Sequence, residues 1–155
     1  MILKSVPDTI NPLAQRQVKL DEPAGQWLLA TTVIASGLAF LVGSAVGVAL
    51  PAIQSYFSAP LTGIQWITSA YLLPLSALML IGGPLGDHYG RKRLFTIGLL
   101  LLITGSALSS LAGSVGLLIT FQFVAGTGSA LMVPQTLAII NASFASAERG
   151  RVIGL

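Results

Sequence analysis

From residue 23 to 86, and again from 94 to 147, the chain contains no aspartate, glutamate, lysine, arginine or histidine. The two charge-free tracts are parted only by the turn Asp87-His88-Tyr89-Gly90-Arg91-Lys92-Arg93. A soluble domain carries about a quarter of its residues charged, whereas here the share is 8%, against 54% hydrophobic. Tracts of this kind belong in a bilayer, and the turn, read as a loop over residues 83–95, belongs at its surface.

Crossing about 30 Å of hydrocarbon takes roughly 20 mostly apolar residues in a helix. Four segments qualify, at about 27–53, 64–82, 94–111 and 115–140. Backbone polar groups must be paired within each span, and none of the four shows the alternation of a membrane barrel, so each is predicted helical. The fold class is all-α, a polytopic membrane protein with four transmembrane helices. Val152-Ile153-Gly154-Leu155 turns apolar again and reads as the start of a fifth, at about residue 152. Residues 1–26 form a polar tail, too polar for a signal peptide and followed by too long an apolar run. Its prolines at 7, 12 and 23 argue against order beyond a turn of surface helix over residues 14–20. Residues 27–155 form the transmembrane unit.

The basic residues are Lys4, Arg16, Lys19, Arg91, Lys92, Arg93, Arg149 and Arg151. Four crossings put all of them on one side, which the positive-inside rule makes cytoplasmic, the N-terminus included. Trp27 and Tyr89 then fall at the inner interface, and Tyr56, Phe57 and Trp66 at the outer one. The formal net charge of +3 is accounted for by this topology, so no nucleic-acid partner is expected; the lipid bilayer is the first partner. The chain has no cysteine, hence no disulfide or thiolate metal site. No metal-ligand cluster, hydrolase elbow or phosphate loop occurs, and the glycine-rich turn follows a membrane helix where a nucleotide fingerprint needs a strand. No catalytic residue, cofactor or metal is expected, and the chain is not read as an enzyme.

The pattern Gly83-x-Leu85-x-Asp87-x-x-Gly90-Arg91-Lys92 resembles the signature between the second and third helices of the major facilitator superfamily. Gly47-Val48-Ala49-Leu50-Pro51, Gln65-Trp66 with Tyr71-Leu72-Leu73, and Gly126-x-Gly128-Ser129-Ala130 with Val133-Pro134 sharpen it toward the fourteen-helix drug/proton antiporter branch. The resemblance runs from about residue 38 to 155. It implies an N-terminal fragment, part of one half, of a major facilitator fold in the plasma membrane. The intact parent would export drugs or other small organic compounds. Its missing C-terminal helices would be partners of the signature loop, Gly83, Asp87, Gly90, Arg91 and Lys92, acting as a gating latch. The plainer reading of that loop is a solvated turn that sets topology and touches anionic lipid.

The sequence departs from the branch where charge would matter most. Val42 stands where the branch has an embedded aspartate, Gly47 where it has an asparagine, Gln122 where it has an arginine, and Ala125 where it has a glutamine. In the turn, Gly86, His88 and Phe95 replace a family alanine, arginine and leucine. No span then carries a carboxylate, histidine, lysine or arginine, so these helices hold no such group to relay a proton.

Gln122, Tyr71, Gln135, Ser44 and Asn141 are the in-membrane polar residues expected to face a central cavity, Gln122 foremost. Gly43, Gly47, Gly126 and Gly128 are expected to let helices approach closely. Pro74 and Pro134 each delete a backbone hydrogen bond inside a span, and bends are expected there. Taken alone, the chain is expected to be inactive. The competing reading is a small four-helix membrane protein, an accessory or oligomer-forming subunit that docks through its glycine faces.

Overall fold

The computed structural model describes residues 23–143; the tail, the turn of helix at 14–20 and the beginning of a fifth span lie outside them. The described chain forms four helices in sequence, α1 (Pro23–Phe57), α2 (Leu61–Tyr89), α3 (Arg91–Ser110) and α4 (Val115–Ser143). All four are long and apolar enough to cross a membrane. At 1.5 Å per residue, the 20 residues of α3 span about 30 Å, the thickness of the hydrocarbon itself. The 35 residues of α1 overshoot it by several turns.

The helices run up, down, up and down. Ser36 of α1 meets Thr136 of α4, and Arg91 of α3 meets Ala138 of α4. The beginnings of α1 and α3 therefore lie beside the ends of α2 and α4. At the far end Ala59, Ile64, Ile67 and Leu118 form a second small core. Arg91, Lys92 and Arg93 sit at the first end with the exposed rings of Trp27 and Tyr89, while exposed Tyr56 is at the opposite end.

The charged turn is tighter than its sequence suggests. α2 stays helical through Gly82-Gly83-Pro84 as far as Tyr89, and the reversal is made at Gly90 alone, with φ 95°. The expected loop over residues 83–95 is thus mostly helix. The reason is packing: Gly82 and Gly86 are buried against α4, and a backbone held there keeps its hydrogen bonds by staying helical. Gly90 then supplies a conformation that side-chain-bearing residues rarely adopt. Its N–H donates to the Gly86 carbonyl at 3.0 Å, and its own carbonyl accepts from Leu94 N–H at 3.1 Å, so one residue closes α2 and opens α3. At the other end α1 runs on to Phe57 and α2 begins at Leu61, leaving 58–60 as the first connection, while α3 ends at Ser110 and α4 begins at Val115, within a residue of the expected bounds.

α4 is the centre of the bundle, packed along its length against α2 on one side and α3 on the other, while α1 touches its neighbours sparsely. Lipid tails are as apolar as leucine, so packing rather than water exclusion brings such helices together. Glycine makes it possible. A methyl added at Gly98 would fall 2.7 Å from the Gly128 carbonyl, and one at Gly105 would fall 2.7 Å from Ala125 N. Toward α2 the glycines pair with prolines. Gly126 of α4 receives the ring of Pro74, with 2.9 Å between an added methyl and Cγ, and Gly82 of α2 receives Pro134 at 3.0 Å. Pro134 also deprives the Ala130 carbonyl of its helical donor, and that oxygen lies 2.8 Å from where a Gly82 side chain would begin.

Candidate functional site

Two places gather polar side chains, and the first is the inner turn. Asp87 and Arg91 lie four residues apart across Gly90. Arg91 Nε donates to Asp87 Oδ1 at 2.9 Å, and Nη2 lies 2.9 Å from the same oxygen. The guanidinium has a third engagement, Nη1 donating to the Ala138 carbonyl of α4 at 2.8 Å. One side chain therefore ties the α2-α3 turn to the end of α4. Asp87 remains 63% exposed along its side chain, so its second oxygen is free to meet a further partner. Lys92 and Arg93 are exposed. At Gly83 an added methyl would meet nothing within 4 Å, so this glycine admits no close neighbour among the described residues.

Directly beneath the turn, Gln135 of α4 is fully buried and its Nε2 donates to the Gly82 carbonyl. Its amide occupies the space a side chain at position 86 would need. Gly86, where the family resemblance led one to expect alanine, is what lets Gln135 reach α2. The other amide atom, Oε1, has no partner within the described residues.

The second place is a cleft of about 390 Å³ between α1 and α2, with Val133 of α4 at its back. Ala39, Phe40, Gly43, Ser44, Tyr71 and Met79 border it. Tyr71 is its structural pin. Its hydroxyl donates to the Ala39 carbonyl of α1 at 2.8 Å and lies 2.9 Å from Ser129 Oγ of α4. A phenol has one proton, so with that proton on Ala39 the serine must be the donor. Gly43 leaves room for the Tyr71 ring, whose Cε1 would sit 3.3 Å from a methyl at that position. Ser44 borders the cleft but turns its hydroxyl back to the Phe40 carbonyl of its own helix, at 2.8 Å.

The polar residues expected to share one cavity are thus divided. Tyr71 and Ser44 line the cleft, whereas Gln135 is committed to the inner turn. Gln122, 2% exposed, lies one helical turn from Leu118 and Gly126, both of which pack on α2, and it does not border the cleft. Its Oε1 lacks a partner within the described residues. The side chain of Asn141 lies outside the described set. Among the glycines, Gly126 and Gly128 face neighbouring backbones and Gly43 faces Tyr71, while Gly47 is open, with nothing within 4 Å. Sequence reasoning passed over Gly98 and Gly105, and gave Ser129 only as part of the fourth-span motif. The seven-residue spacing of Gly98 and Gly105 puts both on one helical face and was the available signal.

The bundle thus reverses direction at Gly90, with Asp87 and Arg91 paired across it. The family model described as Major Facilitator Superfamily matches residues 32–155. The chain belongs to the major facilitator superfamily. It is therefore an integral membrane protein. Among relatives in the superfamily, it is 35% identical over 132 residues to the "Probable actinorhodin transporter" of Streptomyces coelicolor, covering 84% of this chain and 23% of that protein. It is 34% identical to the "Riboflavin transporter RibZ" of Clostridioides difficile, covering 74% of this chain and 25% of the relative. A "Multidrug resistance protein Stp" of Mycobacterium tuberculosis is 37% identical over 80% of this chain and 24% of its own length. The chain thus spans about a quarter of the length of these superfamily members.

Proposed function

We propose that this chain supplies the first four helices of a major facilitator exporter of small organic compounds, drugs and antibiotics among them. In this reading residues 1–26 are a cytoplasmic tail, residues 27–155 are part of the N-terminal transmembrane domain, and a fifth helix begins at about residue 152. The membrane is the plasma membrane, and the turn at Gly90 faces the cytoplasm because Arg91, Lys92 and Arg93 gather there. No enzymatic step is part of the reading.

The observation that carries it is the Asp87-Arg91 pair with its third bond to Ala138, within a stretch matched by the family model. Arg91 is used up inside the four helices, while Asp87 stays exposed and able to face a helix of a second half. We propose that it latches the two halves in one state of the transport cycle. In the superfamily two six-helix halves rock about a midplane site, so four helices alone perform no transport. No span here holds a carboxylate, histidine, lysine or arginine, so any proton coupling would reside in later helices.

The test is expression of the full reading frame in bacteria stripped of efflux pumps. Lowered accumulation of ethidium or puromycin relative to an Asp87→Asn variant supports the reading; equal accumulation with and without the protein refutes it. The second reading, a four-helix accessory or oligomer-forming subunit, draws support from the open face of α1 at Gly37 and Gly47. It requires the 155-residue product to accumulate stably on its own.

A further inference from the structure

We infer that the seam between α1 and α2 is a continuous route for an uncharged amphipathic ligand. Its mouth is the hydrogen-bonding set Gln65, Thr68 and Ser69, and its inner end is the apolar cleft beside Phe40 and Met79. The inference rests on the transporter reading above and specifies the class of compound and the path it takes.

Three hollows line up along the seam. The outer one, about 570 Å³, lies between Leu50 of α1 and Gln65, Thr68 and Ser69 of α2. A neck of about 110 Å³ follows, bordered by Gly43, Val46, Thr68 and Tyr71. The cleft of about 390 Å³ comes last. Thr68 borders both the first and the second, and Gly43, Tyr71 and Leu72 border both the second and the third, so the hollows adjoin one another along the seam. A side hollow of about 330 Å³ adds the exposed ring of Trp66 to the mouth.

The mouth is polar. Serines and threonines in membrane helices usually donate to a carbonyl of their own helix, as Ser44, Ser76, Thr104 and Thr127 do here. The side chains of Thr68, Ser69 and Gln65 make no hydrogen bond within the described residues. Polar side chains near the membrane surface that are left over by their own bundle face water, a cavity or a polar ligand. No charged side chain borders any of the hollows, so an ionised ligand would lose its hydration with no counter-charge in return. A neutral molecule satisfies both ends, its hydroxyl or amide groups at Gln65, Thr68 and Ser69 and its apolar body toward the cleft.

The chain is naturally free of cysteine, so a single introduced thiol reports on one place. Gln65→Cys and Ser69→Cys, each in the 155-residue chain reconstituted in bilayers, are labelled with a membrane-impermeant maleimide. Ile103→Cys, exposed on α3, is the lipid-facing control. The expected result is labelling about tenfold faster at both mouth positions than at the control, the ratio that about 1.4 kcal/mol of accessibility produces. Riboflavin, uncharged and with a hydroxyl-rich tail and a flat ring system, should slow it at both. Labelling no faster than the control overturns the route, since lipid, another helix or a second copy then covers the mouth. Fast labelling that riboflavin leaves unchanged overturns the ligand assignment. Because no transport step is involved, expected labelling beside a silent efflux assay faults only the transporter reading, and active efflux beside slow labelling faults only the route.

Discussion

Gln135 sits where a side chain on residue 86 would be, and it holds the Gly82 carbonyl of α2 from there. The two positions are therefore one unit. Gly86→Ala should expel the Gln135 amide and destabilise the bundle by about 1–3 kcal/mol, the usual range for overpacking. With Gln135→Ala in the same chain, much of that loss should be regained, giving a coupling energy of at least about 0.5 kcal/mol in a double-mutant cycle of denaturant unfolding in detergent. Additive losses would show that the two side-chain volumes do not compete.

Tyr71→Phe removes the hydroxyl that joins α1 to α4 through Ala39 and Ser129. A net loss of about 0.5–1.5 kcal/mol is expected. Hydrogen exchange should rise in α1, which has few other ties, while α2 to α4 keep their protection. A uniform rise across all four helices would contradict the role given to this hydroxyl.

Replacing Arg91 by lysine keeps the charge but not three directed donors. The exposed pair with Asp87 contributes no more than about 1 kcal/mol, so Asp87→Asn should leave thermal stability in detergent nearly unchanged. Arg91→Lys should do more, because the Ala138 carbonyl loses its side-chain donor. Limited proteolysis after residue 138 reads the difference, with faster cutting expected in the lysine variant alone.

Gly105→Val places a branched side chain against the backbone of Phe121 and Ala125. It should force α3 from α4 and lower stability by about 1–3 kcal/mol. Gly83→Ala, at a site with nothing within 4 Å, serves as the neutral comparison in the same thermal-unfolding assay.

Topology is open to a direct check. Alkaline phosphatase fused after Ser58 should be active, as an external reporter is, and green fluorescent protein fused after His88 should be bright, as an internal one is. The reverse pattern would invert the orientation proposed here.

Much of the fold was legible in the sequence because lipid imposes few choices. Charge-free tracts mark the spans, and Arg91, Lys92 and Arg93 mark the turn. Less legible was where helices end, since α2 runs through Pro84 to Tyr89; its length is set by burial against α4, a tertiary fact. Periodicity could not tell which face meets which helix either, because lipid-facing and buried residues here are equally apolar, as exposed Leu80 and buried Leu102 illustrate. That is why Gln122 and Gln135, alike in sequence as lone amides in a span, could not be told from a cleft-lining residue such as Tyr71.

The crossed pairing of Pro74 with Gly126 and of Pro134 with Gly82 has a mechanical result. Each helix offers a ring to the other's notch, at two levels, in parallel helices of the same bundle. Sliding α2 along α4 by a single turn would take Pro74 out of the notch at Gly126 and Pro134 out of the notch at Gly82. The two helices are keyed against axial slip, a constraint that α1, sparsely packed on its neighbours among the described residues, does not share.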